Sequence, residues 1–179
     1  QVDMILPLHG PVLTDTVGQV IDLYSKWAAY TPEEDGVAIV YATVYGGIRD
    51  AVEELARQLA AKGQKNVAVY DLARDDQSVA LAEAFRYPKL VVASPTINGD
   101  VFPAVRTFLQ ALAAHNFQNR FVALIESGMW APASEKGMAA ILGECKGITF
   151  NTNKVKILGR PGADEYARIA LLADEIASM

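Results

Sequence analysis

From residue 37 onward, short β-branched apolar runs alternate with longer stretches in which apolar residues recur every three or four positions. That alternation predicts a parallel, doubly wound sheet, because successive parallel strands need a crossover helix between them. Strands are predicted at 37–41, 66–71, 89–93, 120–125 and 148–157. Ile48, Ala51, Val52, Leu55 and Leu59 form one helical stripe, and Val105, Phe108, Leu109 and Leu112 repeat it after Pro103, a residue suited to a first helical turn. Met138, Ile141, Leu142 and Cys145 give a third stripe, and Tyr166, Ile169, Ala170, Ala173 and Ile176 a last. The weakest helix is at 78–85. A β–α alternation of this length predicts an α/β fold, a five-stranded parallel sheet of order 2-1-3-4-5 in three α/β/α layers.

Residues 1–36 are patterned differently. A short apolar run at 2–6 predicts a strand, and a helix is predicted at 17–29, with Val20, Ile21, Tyr24 and Trp27 at helical spacing and Thr16 with Gln19 as a capping box. Residues 30–36 lose periodicity and carry Pro32 and Gly36, so they read as a linker with a domain boundary near 36. Its acidic triplet, Glu33-Glu34-Asp35, reads as a solvated run, or as a docking site for a basic electron donor. Starting inside a strand without an initiator methionine, the chain is expected to be a piece of a larger protein.

Composition narrows the function. With 16 Lys and Arg against 21 Asp and Glu, the net charge of −5 argues against nucleic-acid binding, which needs clustered cations. No apolar run reaches the length of a membrane span. A single cysteine, Cys145, permits no internal disulfide and fits a reducing, cytoplasmic compartment; its apolar stripe predicts burial rather than redox catalysis.

In an open α/β sheet, ligands bind beyond the carboxyl ends of the strands at the topological switch point. Three loops lie there. Ala42-Thr43-Val44-Tyr45-Gly46-Gly47-Ile48 opens straight into a helix, whose N-terminal amides suit a phosphate without any Lys or Arg. Spacing alone leaves an ordinary β–α turn equally open, and neither a GxGxxG nor a P-loop pattern is present. Ser94-Pro95-Thr96-Ile97-Asn98-Gly99 follows the third strand with turn chemistry of its own. Glu126-Ser127-Gly128-Met129-Trp130-Ala131-Pro132 follows the fourth and offers a planar apolar face to a flat heteroaromatic ligand.

Together these loops resemble the flavin-binding loops of the flavodoxin-like domain of flavodiiron proteins, with Ser94-Pro95-Thr96-Ile97-Asn98 the best match. The start agrees: Leu6-Pro7-Leu8-His9-Gly10-Pro11, then Tyr24-Ser25-Lys26-Trp27 and Tyr30-Thr31-Pro32-Glu33, is similar to the junction between that family's metallo-β-lactamase-like diiron domain and its flavodoxin domain. The resemblance implies a diiron-domain remnant plus linker at 1–36 and a flavodoxin-like FMN-binding domain at 37–179. It implies that Thr43, Val44, Tyr45, Gly46, Gly47 and Ile48 hold the FMN phosphate. Ser94, Pro95, Thr96, Ile97, Asn98 and Gly99 would border one edge of the isoalloxazine, with a backbone group near N5, and Ser127, Gly128, Met129 and Trp130 would cover another part. The implied chemistry is electron transfer through FMN to a diiron site that reduces dioxygen or nitric oxide in the full-length protein.

The implied partners are the diiron domain of the same or a neighbouring subunit and a donor such as rubredoxin or a flavin reductase, in a homo-oligomer when full length. His9 matches the family's last diiron histidine. The upstream His-x-Glu-x-Asp cluster is absent and His115 is the only other histidine, so no iron is expected in this chain. Two positions depart from the pattern. Ile48 stands where the family usually closes its phosphate loop with Thr or Ser, which would remove one charge-assisted hydrogen bond. Glu126 stands where a small residue is usual, and a carboxylate against the ring would lower the flavin potential, or else it points to solvent. The alternative reading is a flavodoxin-fold structural or interaction domain with weakened or lost FMN binding. A nicotinamide-dependent flavin or quinone reductase lacks its fingerprint here, and a phospho-receiver lacks its acidic residues at the end of the first strand.

Overall fold

The computed structural model describes residues 2–179. In chain order the elements are α1 (Val17–Ala28), β1 (Val37–Tyr41), α2 (Gly47–Ala61), β2 (Val67–Asp71), α3 (Gln77–Arg86), β3 (Lys89–Ile97), β4 (Asp100–Val101), α4 (Pro103–Ala114), β5 (Arg120–Gly128), α5 (Ser134–Leu142), β6 (Ile148–Phe150), β7 (Val155–Leu158) and α6 (Ala163–Ala177). The parallel sheet runs β2-β1-β3-β5, and β6 and β7 both pair with β5. Counted as the five strands expected from sequence, this is the order 2-1-3-4-5.

Strand residues alternate between two cores, as the period of two requires. Ala38, Val40, Leu90, Val92, Val122 and Leu124 pack with the apolar stripes of α3, α4 and α5. Val37, Ile39, Val91, Ala93, Ala123 and Ile125 face the other way, against α2 and α6. The result is a three-layer α/β/α sandwich with a switch between β1 and β3.

Five local expectations are corrected. β3 and β5 run beyond 93 and 125, pairing through Ser94↔Glu126 and Pro95↔Ser127. The polar residues that marked a strand end instead find buried partners. The expected strand at 148–157 is broken at Asn151, whose backbone N–H donates to the Val122 carbonyl and whose side-chain carbonyl accepts from the Leu124 N–H at 2.9 Å. Residues 2–6 make only the isolated bridge Ile5↔Leu13, and Thr16 precedes α1 without a side-chain cap. Cys145 lies past the end of α5, half-buried, with its thiol pKa pushed up by burial and then by Glu144.

The acidic triplet is exposed at Glu34 and Asp35, as a solvated run is, and its carboxylates are also paired. Glu34 and Glu33 pair with Arg86 at 2.6 and 4.0 Å, and Asp35 pairs at 3.2 Å with Lys89, which is buried. Arg120 is buried with no carboxylate partner among the described residues. Its guanidinium donates to the carbonyls of Tyr30, Phe85, Tyr87, Gln118 and Asn119, tying the segment after α1 to the bottom of the sheet. In α1, by contrast, only Val17 is buried, and Ile21, Tyr24 and Trp27 are exposed.

Candidate functional site

At the carboxyl end of β1 the chain turns through residues 42–46 and enters α2. The Thr43 hydroxyl accepts from the Gly46 N–H at 3.0 Å, closing the turn, and Gly46 sits at φ 88° as the residue before the helix. A side chain there would meet the left-handed penalty that glycine avoids. The amides of Val44, Tyr45, Gly47 and Ile48 meet no acceptor among the described residues. They form an open set of donors at the positive end of the α2 dipole.

The second loop is a hairpin. β3 turns through Asn98 (φ 52°) and Gly99 (φ 75°) and returns as β4, with Thr96↔Val101 and Ile97↔Asp100 paired. Two successive positive-φ residues, Asn then Gly, are what a two-residue hairpin turn demands. Ser94 is buried below it, accepting from the Phe102 N–H while its carbonyl accepts from the Ser134 hydroxyl. The Thr96 hydroxyl accepts from the Ala133 and Ser134 N–H groups, so the hairpin is fastened to the start of α5.

These segments line one cleft with the third loop: Thr43, Val44, Tyr45, Gly47, Ile48, Pro95, Thr96, Ile97, Ser127, Gly128, Met129 and Gly159. Of the residues expected from sequence, Gly46, Ser94, Asn98, Gly99 and Trp130 do not line it. Ser94 is beneath the floor, and Trp130 is 89% exposed. Gly159 escaped the sequence reading. It follows β7 at φ 75°, and its N–H donates to the Gly128 carbonyl; the signal for it was a glycine directly after a strand. Around the mouth Val44, Tyr45, Met129 and Trp130 are all exposed.

Glu126 does not face the cleft. It is 5% exposed, accepts from the Glu135 N–H at the start of α5, and pairs with Lys156 at 3.4 Å. The expectation of a carboxylate at the ring or in solvent is therefore corrected: the strand period turns this side chain towards α5. Ile48 is 1% exposed and packs into the core between α2 and the sheet. Among the described residues no three His, Cys, Asp or Glu side chains cluster as a metal site, and no helix is long and apolar enough to cross a membrane.

No protein-family model matches the chain. Among curated proteins it is similar to the anaerobic nitric oxide reductase flavorubredoxin of Escherichia coli O1:K1, 30% identical over 131 residues, which are 73% of this chain and 27% of that protein. The chain thus spans about a quarter of the length of these curated relatives. Among solved structures it matches the rubredoxin oxygen:oxidoreductase of Desulfovibrio gigas with TM-score 0.89 and 24% identity, over 98% of this chain and 44% of that one. The flavodiiron protein of Giardia intestinalis matches with TM-score 0.81 and 17% identity, over 99% and 44%. A flavodoxin from the domain Archaea gives 0.68 and 21%, over 80% of this chain and 96% of that chain. The chain is a flavodoxin-like domain homologous to that of the flavodiiron proteins.

Proposed function

We propose that this chain binds FMN in the cleft between its three carboxyl-end loops and serves as the electron-transfer domain of a flavodiiron-type oxidoreductase. The observation that carries the reading is the convergence of three loops, far apart in sequence, on one cleft that joins a cradle of unpaired amides to an apolar wall. Gly46 and Gly47 add no side chains of their own to that cradle, and its donors suit a phosphate monoester. Pro95, Ile97 and Met129 supply apolar surface for a flat ring.

When bound, FMN supplies one- and two-electron chemistry that no side chain here can perform. The contribution of the chain is to hold and orient it. The Val44, Tyr45, Gly47 and Ile48 amides would receive the phosphate, while the hairpin at Pro95–Thr96–Ile97 and the residues Ser127, Gly128 and Met129 would border the ring. The exposed Tyr45, Met129 and Trp130 leave an apolar rim where a partner carrying electrons in or out would dock.

In the full-length protein the electrons would come from a donor such as rubredoxin or a flavin reductase and pass to a diiron site, in the same or a neighbouring subunit of a homo-oligomer, that reduces oxygen or nitric oxide. Residues 1–36 would be the end of the diiron domain and its linker. In support, Val2, Met4, Leu6, Leu8 and Val12 expose half or more of their surface, and the apolar stripe of α1 is open beside them, as a face covered by a preceding domain would be.

The test is a titration of the chain with FMN. Binding quenches the flavin fluorescence, alters its visible spectrum and leaves the bound flavin reversibly reducible. Unchanged spectra at excess protein would sink the proposal and favour a structural domain that has lost its flavin.

A further inference from the structure

We infer that Arg49 and Arg160 form a two-guanidinium clamp for the phosphoryl end of the flavin, in place of the hydroxyl that Ile48 lacks; this rests on the FMN reading above. The two side chains come from different elements. Arg49 is in the first turn of α2, and Arg160 follows Gly159 in the loop after β7. They converge on one point: the Nη2 atoms of Arg49 and Arg160 stand 3.2 and 3.7 Å from where a Cβ on Gly46 would be.

One carboxylate holds both beside Gly46. Arg49 Nη2 is 3.3 Å from Asp50 Oδ1, and Arg160 Nε is 3.6 Å from Asp50 Oδ2; Arg49 also approaches Glu53 at 3.8 Å. These pairs are partly exposed, where solvent screening makes them weak, so an arriving dianion competes well for the guanidinium donors. The described residues lining the cleft are uncharged, and the carboxylates beside the pair, Asp50 and Glu53, are themselves engaged by the guanidinium groups. Guanidinium forks match phosphate oxygens geometrically, and a phosphate monoester carries nearly two negative charges at neutral pH. The loop thus offers open backbone amides and, beside Gly46, two cations.

The consequence is selectivity for FMN over riboflavin, which shares the ring and lacks the phosphate. The experiment titrates both flavins by fluorescence quenching against the unchanged chain, Arg49→Gln, Arg160→Gln and, as a charge-matched control, Arg57→Gln, which lies elsewhere on α2 and pairs with Glu54. The clamp predicts that each of the first two variants weakens FMN by roughly five- to tenfold and leaves riboflavin within about twofold, while Arg57→Gln alters neither. If FMN binds the unchanged chain and either all variants match it, or both flavins weaken together, or Arg57→Gln weakens FMN equally, the clamp is wrong and the FMN reading survives. If neither flavin binds the unchanged chain, the FMN reading itself fails and the clamp falls with it.

Discussion

Gly47 and Gly159 lie so close that a methyl group on Gly47 would collide with the Gly159 carbonyl oxygen. Through this contact the loop after β7 is seated on the first turn of α2, which places Gly159 in the cleft and the Arg160 guanidinium beside Gly46. Gly47→Ala must therefore push the two loops apart, and backbone cannot yield as a flexible side chain can. The expected cost is about 1–3 kcal/mol of stability, with FMN affinity reduced further than the loss of stability alone would bring. Urea unfolding and an FMN titration of the same variant check both.

Ile48→Thr would supply a hydroxyl to the proposed phosphate site, but Ile48 is buried in the core between α2, α6 and the sheet. Replacing its ethyl branch with a buried hydroxyl costs about 2 kcal/mol, or roughly 4–8 °C in Tm for a domain of this size. A thermal melt unchanged within a degree would show that the α2 turn relaxes to expose the position.

Arg120 satisfies the carbonyls of Tyr30, Phe85 and Tyr87 at the bottom of the sheet. Arg120→Met strips those acceptors of a donor and is expected to cost about 3 kcal/mol in urea unfolding. Arg120→Lys should recover only part, because an ammonium has three donors where the guanidinium has five in a fixed fork. Flavin affinity measured below the unfolding transition should stay unchanged, since this end of the sheet is opposite the cleft.

Glu175 fixes the break between β6 and β7: its carboxylate accepts from the Thr152 and Asn153 N–H groups and from both of their side chains. Burial pushes its pKa up, but those four hydrogen bonds outweigh it and hold the group below its ordinary 4.5. A depressed folded pKa adds stability that is fully present above the unfolded value and is lost as the pH falls through the folded one. Glu175→Ala should therefore cost about 1–2 kcal/mol at pH 7, with the gap to the unchanged chain narrowing below about pH 4.5. Chemical unfolding repeated from pH 7 to pH 3 measures it; a gap that stays constant would contradict this account.

The strands, the helical stripes and the three loops were legible because they follow from local periodicity and from where a doubly wound sheet puts its ligand; the order 2-1-3-4-5 is the commonest arrangement of such a sheet, and pairing alone fixes it. The ends of β3 and β5 were not, because Ser94 and Glu126 are polar residues whose partners, Phe102, Ser134, Glu135 and Lys156, become neighbours only on folding. The acidic triplet is solvated at Glu34 and Asp35 as its pattern implies, but its pairing with Arg86 and Lys89 arises only on folding. Asn151 broke a strand that its apolar neighbours alone would have continued.

By itself the sequence determined the alternating strands and helices and the two glycines of the loop after β1, since backbone conformation and apolar period are properties of neighbouring residues. Only the tertiary structure decided which way Glu126 turns, that Gly159 completes the cleft, and that Arg49 and Arg160 meet beside Gly46. Those are contacts between segments up to about 110 residues apart, formed when parallel strands bring their carboxyl ends together, and no local pattern encodes them.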